Sequence, residues 1–207
     1  MTGNDNTTNP VIGPRLVAGL GNPGRRYAGT RHNMGFLVID RLLDSIQTAT
    51  GHGLRCLADN NEFVLWEWVR LEDQASRYLL KPLSYMNRSG IAVAYHAGRL
   101  NIPAEKILVI HDEVDLPLGR VKLKFGGGLA GHNGLRSITE LLGTKDFARL
   151  RMGIGRPEDQ SPLSHYVLQK FTPGEHDLLQ QSLEKAINSI KIIFTHDEQK
   201  ALQVINT

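Results

Sequence analysis

A chain of 207 residues with 41% hydrophobic side chains is long enough to bury one sizeable core, and its single cysteine excludes an internal disulfide framework. No apolar run approaches the length needed to span a bilayer, and residues 1–14, rich in Thr, Asn and Gly, lack the basic-then-apolar pattern of a secretory signal. A membrane protein is excluded on this reading. The expectation is a cytoplasmic chain with a mobile tail over residues 1–14 and one domain over 15–207.

Arg15–Leu20 reads as a buried strand running into a Gly-Pro-Gly turn, and Gly35–Ser45 shows apolar residues at helical spacing. Cys56 has no glycine-rich or His-bearing context and is expected to be a structural or surface thiol. Phe63–Val69 and Tyr78–Lys81 read as a hairpin joined by a polar link over Arg70–Arg77. Ser89 is expected to cap a helix carrying Ile91, Val93, Ala94, Ala97 and Leu100. Ile107–His111 and Val121–Phe125 are further strands, Gly131–Leu142 a helix, and Arg149–Ile154 a strand. Thr172-Pro-Gly-Glu175 is a capping box opening a long amphipathic helix through Phe194, and 159–170 is expected to be a flexible connection to it. Alternating strands and helices, with some strand pairs lacking a crossover helix, predict an α/β domain: a mixed sheet covered by helices on both faces.

Charge is uneven. Between Pro117 and Pro157 eight basic residues (Arg120, Lys122, Lys124, Arg136, Lys145, Arg149, Arg151, Arg156) face two acidic ones (Glu140, Asp146). A polyanionic substrate fits this excess; so does a solvated strand face, and charge alone weighs the two equally. Gly19-Leu-Gly-Asn-Pro-Gly24 matches the dinucleotide fingerprint literally. Pro23, however, biases Asn22 away from helical dihedrals, and no apolar stripe follows to pack on a sheet.

The polar residues concentrate in loops after strands: Asn22, Asn87 and Asn133, His32 between Arg31 and Asn33, and the run His111-Asp112-Glu113-Val114-Asp115. Adjacent residues of that run point to opposite sides of a strand, so they cannot converge on one ion, and no zinc-like spacing is present. Histidine, with an ordinary pKa of about 6.5, suits general-base work. Asp112, at a strand end, is the carboxylate best placed to fix its tautomer. Each Asn alone is explained as a turn former; together they offer amides able to orient a carbonyl and support an oxyanion. No Gly-x-Ser-x-Gly elbow is present.

Six motifs in order, Gly19-Leu-Gly-Asn-Pro-Gly24, Tyr27-Ala-x-Thr-Arg-His-Asn33, Lys81-Pro82, Met86-Asn-x-Ser-Gly90, His111-Asp-Glu-x-Asp-Leu-Pro117 and Gly126-Gly-Gly-x-x-Gly-His-Asn-Gly-Leu135, make the chain resemble bacterial-type peptidyl-tRNA hydrolase. The resemblance implies metal-independent hydrolysis of the ester between a peptide and the 3′-terminal ribose of tRNA, with no cofactor. It implies His32 as base and Asp112 as its orienting carboxylate. Asn22, Tyr27, Met86, Asn87, His132 and Asn133 are implied around the substrate, and Lys124 and Arg151 on the tRNA 5′-phosphate. It further implies a monomer whose partner is tRNA, not a membrane, with a lid-like segment before the C-terminal helix. A non-catalytic RNA-binding module on the same fold is the competing reading.

Overall fold

The computed structural model describes residues 13–48, 53–69, 75–159 and 161–207. Most of the expected tail, residues 1–12, and part of the expected hairpin link, 70–74, lie outside them. The strands are β1 (Leu16–Gly19), β2 (Gly53–Asp59), β3 (Phe63–Val69), β4 (Ser76–Pro82), β5 (Ile107–Glu113), β6 (Val121–Phe125) and β7 (Ala148–Gly153). They form one seven-stranded sheet in the order β2-β3-β4-β1-β5-β7-β6. β4, β1, β5 and β7 run parallel; β2, β3 and β6 are antiparallel to their neighbours.

The helices are α1 (Met34–Thr48), α2 (Ser89–Arg99), α3 (Asn133–Leu142), the single-turn α4 (Leu163–Tyr166), α5 (His176–Thr195) and α6 (Glu198–Asn206). Strand alternation sends Val17, Leu108 and Ile110 to a core shared with α1 and α5, and Leu16, Ala18, Ile107 and Val109 to a core shared with α2 and α3. The mixed sheet with helices on both faces is thus the one the sequence predicts. Two glycines permit the close packing. A Cβ on Gly35 would come within 2.2 Å of Leu20 N, and one on Gly90 within 2.2 Å of Ser137 O, so α1 meets β1, and α2 meets α3, backbone to backbone.

The same alternation fixes the chemistry of β5. Asp112 follows Leu108 and Ile110 to the α1 face, whereas His111 and Glu113 share the opposite face with Arg149, Arg151, Lys122 and Lys124 across the β5-β7-β6 register. The cationic half of that face is crossed by the glycine-rich segment Gly126–Gly131.

Several expectations change in detail. Ser89 does not cap α2; it lies inside the first turn and its hydroxyl donates to Met86 O at 2.9 Å. α3 begins at Asn133, with His132 as its cap. Arg77, assigned to a polar link, is a buried residue of β4. β2 and α6 were not anticipated. β2 is an edge strand with mostly exposed side chains, Cys56 among them, so it offers no apolar alternation to read. α6 closes the other edge: Asn206 accepts from Leu123 N and donates to Leu123 O, both at 2.9 Å, as a neighbouring strand would. Among the described residues no helix is long and apolar enough to cross a membrane.

Candidate active site

Because β4, β1 and β5 are adjacent and parallel, their C-terminal ends lie side by side, so the loops carrying Asn22 and Met86-Asn87 leave the sheet beside Asp112, which lies not in a loop, as expected, but within the last residues of β5. The glycine-rich loop reaches this place differently from the expectation that every loop follows a strand end there. β6 is antiparallel and Phe125 pairs with Ala148, at the start of β7, whereas Asp112 pairs with Met152. Gly126–Gly131 must therefore climb back along the sheet by about 13 Å. The buried Arg149 guides it, donating from Nη1 to Gly128 O at 2.7 Å and from Nη2 to Gly127 O at 3.0 Å.

The climb ends with His132 against Asp112. His132 Nδ1 accepts from the backbone N–H groups of Gly134 (3.1 Å) and Leu135 (3.3 Å), capping α3. Its proton therefore sits on Nε2, which donates to Asp112 Oδ1 at 3.2 Å. The same oxygen accepts from His32 Nδ1 at 2.9 Å. The two bonds define both tautomers and leave His32 Nε2 with its lone pair, without a partner among the described residues. His32 is held from behind as well: its N–H donates to Val167 O at 2.7 Å and that of Arg31 to Gln169 O at 2.9 Å. The buried Arg31 pairs with Glu175 at 2.8 Å and packs on Tyr166 and Phe171, tying 163–171 to the base. Within the connection expected over 159–170, Leu163–Tyr166 form the short helix α4, and Val167 and Gln169 bond to the backbone of His32 and Arg31.

Electrostatics follow from burial and pairing. Burial alone would lower the His32 pKa, but the charge of Asp112 and its hydrogen bond outweigh this, and the imidazole is raised above its usual 6.5. Burial likewise opposes ionisation of Asp112, yet the two imidazoles hold it well below the carboxylate range. His111, whose Nδ1 donates to Asp112 O at 2.7 Å, is pushed down to about 3 by burial and by the nearby His132, and stays neutral.

A cavity of about 200 Å³ opens on this cluster, lined by His32, Asp112, His132 and Asn133 from the expected set, and by His111, Glu113, Val114, Ala130, Gly131, Leu163, Ser164 and Val167. Ser164 is its one hydroxyl residue, and no hydrogen bond joins it to His32. Asn22 is buried, does not line this cavity, and is held in a fixed orientation. Its backbone N–H donates to Asn33 Oδ1 (2.9 Å), its carbonyl accepts from Asn33 Nδ2 (3.0 Å), and its Oδ1 accepts from Met86 N (2.8 Å). Its amide NH₂ is thereby left as the donor. Met86 packs between this loop and Gly134, where a Cβ would come within 2.6 Å of its sulfur. Asn87 is exposed beside it, and Tyr27 stands apart from the cavity, edge-on to Tyr85 at 6.4 Å.

Lys124 and Arg151 share an adjoining hollow with Arg149, and His111 and Glu113 line both it and the cavity. Arg151 Nε pairs with Glu113 at 3.0 Å, while the Lys124 side chain rests on Gly127. One atom each of His32, Asp112 and His132 lie within 4.8 Å of one another, the spacing of a metal site, although each of these groups is already bonded within the cluster.

The profile of the family described as Peptidyl-tRNA hydrolase matches residues 16–207. This chain belongs to the peptidyl-tRNA hydrolase family. It is 47% identical over 192 residues to the peptidyl-tRNA hydrolase of Oleidesulfovibrio alaskensis, covering 92% of this chain and 95% of that protein. The Nitratidesulfovibrio vulgaris peptidyl-tRNA hydrolase is 44% identical over 192 residues, 92% of this chain and 96% of that one. The crystal structure of peptidyl-tRNA hydrolase from Acinetobacter baumannii superposes with a TM-score of 0.82 at 36% identity, over 94% of this chain and 95% of the other. With the family comes the class, a hydrolase.

Asn33, Arg31 and Arg149 were given no role from the sequence. Asn33 stands beside His32 and could have been flagged by its place in the same motif. Arg149 gives no such signal, since its contacts lie with glycines more than twenty residues away.

Proposed function

We propose that the chain hydrolyses the ester joining a peptide, or an N-blocked amino acid, to the 3′-terminal ribose of tRNA, with no metal or cofactor. The observation that carries the reading is the His32–Asp112–His132 cluster, which spends His32 Nδ1 on a buried carboxylate and leaves Nε2 basic at the cavity. In the reaction Nε2 removes a proton from water, and the hydroxide attacks the acyl carbon. The Asn22 amide donates to the developing oxyanion, and the ribose oxygen leaves with the proton from the imidazolium. Asn133 contacts the peptide or the water at the cavity, Asn87, Met86 and Tyr27 meet the substrate only where it extends beyond the cavity, and His132 reaches it only as far as its bond to Asp112 allows. We read the chain as a cytoplasmic monomer, the location being in keeping with the exposed Cys56 thiol.

Release of free tRNA from N-acetyl-aminoacyl-tRNA, followed in EDTA, tests the reading. Undiminished cleavage is expected. Activity that disappears in chelator and returns with zinc would overturn the metal-free assignment, and tight tRNA binding without cleavage would favour the RNA-binding module.

Lys124 and Arg151 are proposed to hold the tRNA 5′-phosphate. Because Arg151 is already paired with Glu113, Lys124 should carry more of the attraction. Lys124→Ala is expected to raise KM several-fold, by more than Arg151→Ala, and only for 5′-phosphorylated substrate. Equal effects on dephosphorylated substrate would contradict the clamp.

A further inference from the structure

Glu113, the last residue of β5, is the one carboxylate among the described residues that lines both the active-site cavity and the cationic hollow. It is 4% exposed, and both of its oxygens are taken. Oε2 accepts from Arg151 Nε at 3.0 Å, and Oε1 accepts from the backbone N–H of Asp115 at 3.2 Å. A buried carboxylate fastened at two points keeps its charge in the hollow. The second carboxylate there, Asp115, is committed to Arg156 at 2.6 Å.

The three cations of the hollow are not equally open. Arg149 spends its terminal nitrogens on Gly128 O and Gly127 O, so it holds the loop rather than a ligand. An incoming anion meets Lys124, whose amine has no partner among the described residues, and Arg151. With Nε of Arg151 spent on Glu113, the Nη1–Nη2 end is what remains for a two-pronged bond to phosphate. The charge of Glu113 reaches Arg149 as well: burial and the nearby Arg151 lower the Arg149 pKa, and Glu113 opposes them. A 5′-phosphate is present on substrate and on released tRNA alike. Contacts to it are therefore uniform, lowering KM and slowing release without acting on the barrier. Unopposed cations would hold both forms most tightly, and a fixed carboxylate among them sets the attraction lower.

We propose that Glu113 is a specificity-determining residue of this hollow: it turns Arg151 end-on to a terminal phosphate and offsets part of the cationic charge, so that tRNA is recognised by its 5′-phosphate and still released. The role rests on the 5′-phosphate clamp proposed above. A carboxylate present only to keep Arg149 and Arg151 from repelling one another would leave tRNA binding weaker when lost. A carboxylate that limits the clamp leaves binding tighter, so the sign of the change separates the two.

The test is equilibrium binding of deacylated tRNA, with its 5′-phosphate and after phosphatase treatment, to wild type and to Glu113→Gln. Wild type should prefer the phosphorylated tRNA. Glu113→Gln keeps an oxygen for Arg151 Nε and should bind phosphorylated tRNA about tenfold more tightly than wild type does, the worth of one unit charge a few ångströms away. Its gain on dephosphorylated tRNA should stay within about twofold. A second comparison guards against misfolding around an unbalanced buried charge. The double variant Glu113→Gln with Arg151→Gln removes both members of the pair and should bind phosphorylated tRNA about tenfold more tightly than Arg151→Gln alone, where Glu113 faces the phosphate unpaired. Unchanged or weaker binding in the folded variants would overturn the role and leave Glu113 architectural. An equal gain on dephosphorylated tRNA would overturn it too, because the charge would then act on RNA at large. Equal binding of the two tRNAs by wild type would overturn the clamp itself and the role of Glu113 with it, a result that wild type alone decides.

Discussion

His32→Ala is expected to lower kcat/KM by about 10²- to 10⁴-fold, the usual worth of a positioned general base, with the fold intact. The side chain makes a single hydrogen bond, to Asp112, and the strut from its backbone N–H to Val167 O does not depend on the imidazole. Asp112 would keep the His132 N–H, so the stability lost should stay within about 3 kcal/mol, the range for a hydrogen bond to a charged group. Single-turnover cleavage of N-acetyl-aminoacyl-tRNA beside a thermal melt separates the two effects. A variant that melts near wild type and still turns over at a near-normal rate would remove His32 from the chemistry.

The same pair sets how pH acts. Only neutral His32 can accept a proton, and its pKa is raised, so kcat/KM should climb with pH through a midpoint above 6.5. Stability runs the other way at this residue. The raised folded value means that protonated His32 stabilises the fold fully below the unfolded pKa, and that this contribution is lost as pH rises through the folded one. The depressed Asp112 contributes stability above the ordinary carboxylate range, lost as pH falls through its lowered pKa. At neutral pH the enzyme gives up part of the His32 contribution to hold its base in working form.

Sequence patterns made the sheet and its helices legible where one face is buried. Val121-Lys-Leu-Lys-Phe125 alternates and is β6 as read; Leu16–Gly19, buried throughout, is a continuous apolar run as a central parallel strand should be. Elements whose shape is set by the rest of the protein were not legible. β2 pairs at an edge without burying a face, and α6 ends where Asn206 reaches the Leu123 backbone. At the site, residue types and loops singled out His32, Asp112 and the three Asn as candidates, and the structure brings His32, Asp112 and Asn133 to one cavity. Sequence could not show that β6 delivers its loop from the far end of the sheet, or that His132 would spend one nitrogen capping α3 and the other on Asp112. The alternation that rightly parts His111 from Asp112 says nothing about a third ligand arriving from another helix, and it is such an arrival that gives three donors within 4.8 Å.

Asp112→Asn separates orientation from charge. An amide oxygen can take the place of Oδ1 and accept from both His32 Nδ1 and His132 Nε2, so the imidazoles have no geometric reason to move. What disappears is the negative charge that raises the His32 pKa and would stabilise the imidazolium formed as water gives up its proton. Burial, the largest influence on His32 and a lowering one, then acts unopposed. The acid limb of kcat/KM should move down in pH, below 6.5, while the plateau falls by about 10²- to 10⁴-fold, because a weaker base is more often neutral yet less able to take the proton. Stability at neutral pH should fall as well, since the depressed pKa of Asp112 means that its pairing with the two imidazoles outweighs the cost of burying its charge. A purely architectural Asp112 would lower the plateau and leave the midpoint where it was. An unmoved midpoint in the pH profile of kcat/KM would therefore reduce Asp112 to a strut, and a midpoint that falls together with the plateau would assign it to the charge of the transition state.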